Sequence, residues 1–119
     1  MRIASRLPNA QLATIDRRKI IDYLLASSHP GGRAKAAFFA RFGFAVAAWP
    51  KLRDALLDQA RSAPIASAVD TPFGKKYILE GPLNAPDGRE PRIRAVWFVD
   101  AGETAPKFVT AYPVSGAER

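Results

Sequence analysis

The spacing of the apolar residues changes once along the chain, near residue 63, and that change restricts the fold more than any other feature. Before it, Ile20, Ile21, Leu24 and Leu25, then Ala34, Ala37, Phe38 and Phe42, then Leu52, Leu56, Leu57 and Ala60 recur every three or four residues, as one side of a helix requires. After it, short segments alternate in the way of strands, most clearly Ile93, Ala95, Trp97 and Val99 against Arg92, Arg94, Val96 and Phe98. Helices first and strands afterwards predict an α+β domain. The N-terminal helices should pack on one face of a three- or four-stranded antiparallel sheet whose local hairpins keep the strands in sequence order.

The punctuation agrees with this division. Asp16 is placed to cap a first helix over about 17–27, and Pro30 with Gly31 and Gly32 stops it. A second helix runs from about Arg33 to Phe42 and closes at Gly43, with Phe44 packing back. Pro50 opens a third, which ends near Ser62. Strands are expected at Ile65–Val69, Lys75–Glu80, Arg92–Val99 and Lys107–Tyr112, with turns at Pro86-Asp87-Gly88 and at Asp100–Glu103. At 119 residues and 48% hydrophobic, the chain suits one domain over 1–119. Its helical part is about 14–62 and its sheet part about 64–113, with a frayed tail at 114–119.

Composition removes several chemistries. With no Cys there is no thiolate nucleophile and no cysteine-held zinc, and one His rules out two-histidine metal sites. Neither a secretory leader nor a membrane span is expected, which points to the cytoplasm. No cofactor or metal is expected. Asp54 and Asp58 sit among Lys51, Arg53 and Arg61, as surface ion pairing explains better than metal binding.

The net charge is +7, and it is unevenly placed. Residues 1–62 carry eleven basic and four acidic side chains, and the remainder carries seven of each. Such a surplus attracts polyanions, of which nucleic acid is the commonest, so Arg17, Arg18, Lys19, Arg41 and Arg94 are candidate phosphate contacts. Two groups could carry chemistry. His29, Arg33 and Lys35 surround a glycine-opened helix start, where backbone N–H groups favour an anion and His29 could move a proton. The strands offer Lys75, Lys76, Tyr77, Arg92, Arg94, Thr110 and Tyr112, which could line one sheet face, with tyrosines to stack on bases and cations to hold phosphates. RNA cleavage without a metal needs a base for the 2′-OH, cations for the phosphorane and an acid for the leaving oxygen, roles these residue types can fill. The alternatives are a helix-breaking turn at 29–35 and ordinary half-buried sheet tyrosines. Trp49 and Trp97 read as core anchors.

The strings L-P-N-A at 7–10, K-I-x-x-Y-L-L at 19–25, H-P-x-G-R-x-K-A-x-F-F at 29–39, T-P-x-G-x-K-Y at 71–77, V-W at 96–97 and F-V-T-A-Y-P at 108–113 resemble a small bacterial domain-of-unknown-function family. Such domains occur alone and at the tips of polymorphic toxins. The order of elements also resembles the RelE, colicin D and barnase-like ribonucleases, which are small, basic and metal-independent. The resemblance implies a toxin-like ribonuclease acting on RNA, neutralised by a small acidic antitoxin or immunity protein. By position its site would draw on His29, Arg33, Lys35, Lys76, Tyr77, Thr110 and Tyr112. A non-catalytic module binding nucleic acid or protein is the alternative, so whether the chain is an enzyme stays open at this stage.

Overall fold

The computed structural model describes residues 5–26 and 33–114. His29, the glycines beside it and residues 115–119 lie outside the described residues, as does the side chain of Arg33. The order is α1 (Arg17–Lys19) running into a π turn (Ile20–Leu24), α2 (Arg33–Arg41), α3 (Trp49–Ser62), then β1 (Ile65–Thr71), β2 (Gly74–Pro82), β3 (Arg92–Asp100) and β4 (Lys107–Pro113). The strands form one antiparallel sheet in sequence order, β1-β2-β3-β4. This is the expected α+β architecture, with four strands.

Alternation along the strands gives the sheet two unlike faces. On one, Leu79, Ile93, Ala95, Trp97 and Ala111 are fully buried against Ile20 and Leu24, Phe39 of α2, and Leu52, Leu56 and Ala60 of α3. Each large apolar side chain so buried contributes about 1.5–3 kcal/mol. Aromatic edges lock the layer: Trp97 meets Phe108 at 5.3 Å and Phe39 meets Phe44 at 6.0 Å, both nearly perpendicular. Among the described residues no helix contributes to a core on the other face, which α1 borders at β4. Beyond Ile65, β1 projects past the helical layer and its residues 66–70 are exposed.

The local signals act largely as their chemistry requires. Asp16 accepts a bond from the Arg18 N–H at 2.9 Å, and Pro lies in the first turn of α3. Arg53 pairs with Asp54 and Arg61 with Asp58 on the surface of α3. Three expectations need correction. The first helix is not a continuous α-helix to residue 27. The Leu25 N–H bonds to the Ile20 carbonyl at 2.8 Å, so the segment widens into a π turn that keeps both Ile20 and Leu24 in the core. On α2, Ala36, Phe38 and Phe39 are buried while Ala34 and Ala37 are exposed, because Phe39 is the ring that reaches the sheet. Val114 belongs to the body: its N–H bonds to the Arg92 carbonyl and its side chain is buried.

Among the described residues one polar side chain is buried. Gln59 of α3 is 2% exposed, and its Nε2 donates to the carbonyls of Gly81 at 3.0 Å and Ile93 at 3.3 Å, tying α3 to β2 and β3. Among the described residues no helix is long and apolar enough to cross a membrane.

Candidate functional site

The helix-free face of the sheet collects the chemistry. Pairing between β2, β3 and β4 sets its side chains in three cross-strand rows: Glu80–Arg94–Tyr112, Ile78–Val96–Thr110 and Lys76–Phe98–Lys107. Successive rows lie about 7 Å apart, two residues of strand. The middle row is apolar, with Val96 buried and the Thr110 hydroxyl oxygen buried without a hydrogen-bond partner among the described residues.

The first row is a charged network. Arg94 Nε donates to Glu80 Oε1 at 3.0 Å, and an Arg92 terminal nitrogen lies 3.7 Å from Glu80 Oε2. One carboxylate thus sits between two guanidinium groups, with its side chain 27% exposed. The bond from Arg94 to Glu80, then the charge of Glu80, hold the Arg94 guanidinium above its ordinary range, with Tyr112 a smaller contributor. Arg94 therefore remains a fixed cation with the Tyr112 phenol beside it.

A groove borders this face along β4. A bulge between the Val96–Thr110 and Trp97–Phe108 pairs adds Val109 to the strand. The segment 14–19 runs alongside: the Phe108 N–H bonds to the Thr14 carbonyl, and Lys19 Nζ to the Val109 carbonyl at 3.4 Å. Two adjoining cavities result. One of about 700 Å³ is lined by Arg18, Lys19, Asp22, Tyr23 and Thr110, and one of about 590 Å³ by Ile15, Phe98, Lys107 and Val109. Asp16 borders both, its carboxyl lowered to about 2 mainly by the side-chain hydrogen bond from Arg18.

The candidates named from sequence divide between these places. Lys76, Arg94, Thr110 and Tyr112 lie on the open face, Arg94 and Tyr112 side by side, Thr110 in the next row and Lys76 in the one beyond. Tyr77 and Lys75 do not share that face. They sit one strand residue out of phase, so Tyr77 packs against the core with Lys75 Nζ 5.7 Å from its ring. Lys35 reaches the groove indirectly, its Nζ 5.3 Å from the Tyr23 ring centroid. Arg18 and Lys19 line the groove and Arg17 lies on the same turn, exposed. Arg41 is elsewhere, at the end of α2, where its carbonyl accepts a bond from Arg89. His29 lies outside the described residues.

Glu80, central to the charged row, is not among the candidates the sequence singles out. Its signal was present: Glu80 and Arg94 stand at equal distances on either side of Asp87, the centre of the Pro86-Asp87-Gly88 turn. Among the described residues no group of three or more His, Cys, Asp or Glu converges to hold a metal ion.

Taken together, these features define a small α+β domain that buries one face of an antiparallel meander and presents a charged, groove-edged face to solvent. The chain belongs to the DUF6883 family, a domain of unknown function, which it matches over residues 6–115. Its fold is similar to that of a chain in a contact-dependent growth inhibition toxin–immunity protein complex from Klebsiella pneumoniae 342. The likeness has a TM-score of 0.68 at 17% identity and covers 84% of this chain and 98% of that one. No curated protein matches the sequence significantly.

Proposed function

We propose that this domain is a toxin-type ribonuclease that cleaves RNA without a metal ion, on the open face of its sheet, and that a small partner protein neutralises it. The carrying observation is the Glu80–Arg94–Tyr112 row, which sets a carboxylate, a guanidinium and a phenol side by side across three strands, with Arg92 next to the carboxylate. The fold shared with a chain of a toxin–immunity complex supports the toxin setting and the protein partner.

The chemistry follows from the residue types. Glu80 accepts the proton of a ribose 2′-OH as the 2′-oxygen forms a bond to phosphorus. Arg94 and Arg92 stabilise the negative charge that develops on the phosphorane oxygens. The P–O5′ bond breaks, and Tyr112 donates a proton to the departing oxygen. The products are a 2′,3′-cyclic phosphate and a 5′-hydroxyl, and nothing is oxidised or reduced. For attack, the substrate phosphate draws Arg94 from its bond with Glu80, which frees the carboxylate oxygen to act as a base. Lys76, Thr110 and the cations Arg17, Arg18 and Lys19 then serve the flanking chain.

The observation that favours a second reading is that Glu80 already engages both arginines. As a permanent brace it would leave an RNA-binding surface without chemistry. Purified Glu80→Gln separates the two. Loss of cleavage by roughly 10²–10⁴-fold with retained RNA binding supports the ribonuclease, since that is the usual worth of a positioned base. Wild type that binds RNA and leaves it intact supports the binding module.

A further inference from the structure

We propose that Phe98, between Lys76 and Lys107, is a stacking subsite for an unpaired nucleobase of single-stranded RNA, flanking the linkage that is cut. The inference rests on reading the open face as an RNA surface and names what lies beyond its cleavage row. Phe98 is the aromatic residue in mid-strand on the helix-free side of β3, whereas Trp97, its neighbour in sequence, is fully buried on the other side. Its ring is seated where β2 has no side chain: a Cβ on Gly74 would stand 2.7 Å from Phe98 Cε2. An aromatic residue that only stabilised a sheet would gain most from an aromatic or β-branched cross-strand neighbour. Phe98 instead has lysines on both sides, Lys76 on β2 and Lys107 on β4.

That arrangement suits a nucleotide. A ring face supplies sequence-tolerant stacking while flanking cations hold the phosphates on either side. Lys107 is held by an ion pair with Asp100, and both border the cavity beside Phe98, so a phosphate there would take the place of the Asp100 carboxylate on the lysine. The cavity of about 590 Å³ opens beside Phe98 and gives the chain a path along β4. Phe98 is four strand residues from Arg94, about 13 Å, so the stacked base belongs to a neighbour of the scissile nucleotide. A duplex hides its base faces, and the ring therefore selects single strands and loops.

The test is fluorescence anisotropy with a labelled single-stranded RNA, 2′-O-methylated throughout so that binding is read without cleavage. Wild type should bind in a salt-dependent way, and Phe98→Leu, which keeps an apolar side chain on the sheet, should weaken binding roughly five- to 150-fold, the worth of one stacked base. Phe98→Trp should retain affinity. A duplex of the same sequence should bind wild type and Phe98→Leu alike. Equal single-strand affinity of Phe98→Leu and wild type, or no binding by wild type, overturns the subsite. If Phe98-dependent binding is found but unmodified RNA is left whole, the ribonuclease reading fails and the stacking subsite stands as part of a binding surface, with no cut linkage beside it. If RNA is cut and Phe98→Leu binds as wild type does, the reverse holds.

Discussion

Replacing Gly74 with Ala tests the geometry of the open face most sharply. The new Cβ would lie 2.2 Å from the Val99 carbonyl oxygen, 2.7 Å from Phe98 Cε2 and 2.9 Å from the Asp100 Cα. Two of those atoms are β3 backbone, so they cannot swing aside as a side chain end could. Overpacking of this kind costs about 1–3 kcal/mol, and the φ of +151° adds strain for any residue with a Cβ. A total of about 2–4 kcal/mol is expected, which for a domain of this size lowers Tm by roughly 10–20 °C. Gly88→Ala is the control: its φ is +90°, yet nothing lies within 4 Å of an added Cβ. That variant bears only the backbone term, about 1–2 kcal/mol. Thermal unfolding followed by circular dichroism reads both. If Gly74→Ala is no less stable than Gly88→Ala, the close approach of β2 to Phe98 and Val99 is not present in solution and the seating of that ring is refuted.

Three further outcomes follow from the same contacts. Phe39→Ala removes a fully buried ring beneath the sheet and should cost about 3–5 kcal/mol in urea unfolding; a loss under about 1 kcal/mol would mean the α2 layer is not packed as described. Gln59→Leu should stay within about 1 kcal/mol of wild type, because two hydrogen bonds are lost while a buried, unpartnered Oε1 is removed; a loss above about 3 kcal/mol would show that the Oε1 is satisfied in solution. The Asp16 carboxyl, lowered to about 2 from an ordinary 3.8, contributes stability that is present above about pH 4 and lost as pH falls through about 2. An NMR titration should give Asp16 the lowered value, and Arg18→Ala should raise it part of the way back, because the residue-18 N–H still donates to the carboxylate; an ordinary value in wild type contradicts the cap and ion pair.

Much of this was legible in the residues. The change of period at residue 63 places helices before strands, and the turn at Pro86-Asp87-Gly88 fixes the β2–β3 register from which the Glu80–Arg94 pair follows. Alternation alone separates Lys76 from Tyr77, since adjacent strand residues point to opposite faces. Other features depend on tertiary packing. The π turn at Ile20–Leu24 is written in no propensity, and Gln59 is buried because two strand carbonyls meet it there. Val109 joins the groove wall through a bulge, and no turn residue announces it.

The central claim is that the open sheet face cuts RNA through the ribose 2′-OH with side chains alone. Mass spectrometry of a synthetic single-stranded RNA incubated with the pure domain in excess chelator tests it directly, beside an all-2′-deoxy copy of the same strand. Fragments ending in 2′,3′-cyclic phosphate and their 5′-hydroxyl counterparts are expected from the RNA, with an untouched deoxy strand and loss of both kinds of fragment in Glu80→Gln. RNA left whole across salt and pH, cutting that returns only with a divalent ion, or scission of the deoxy strand would contradict it.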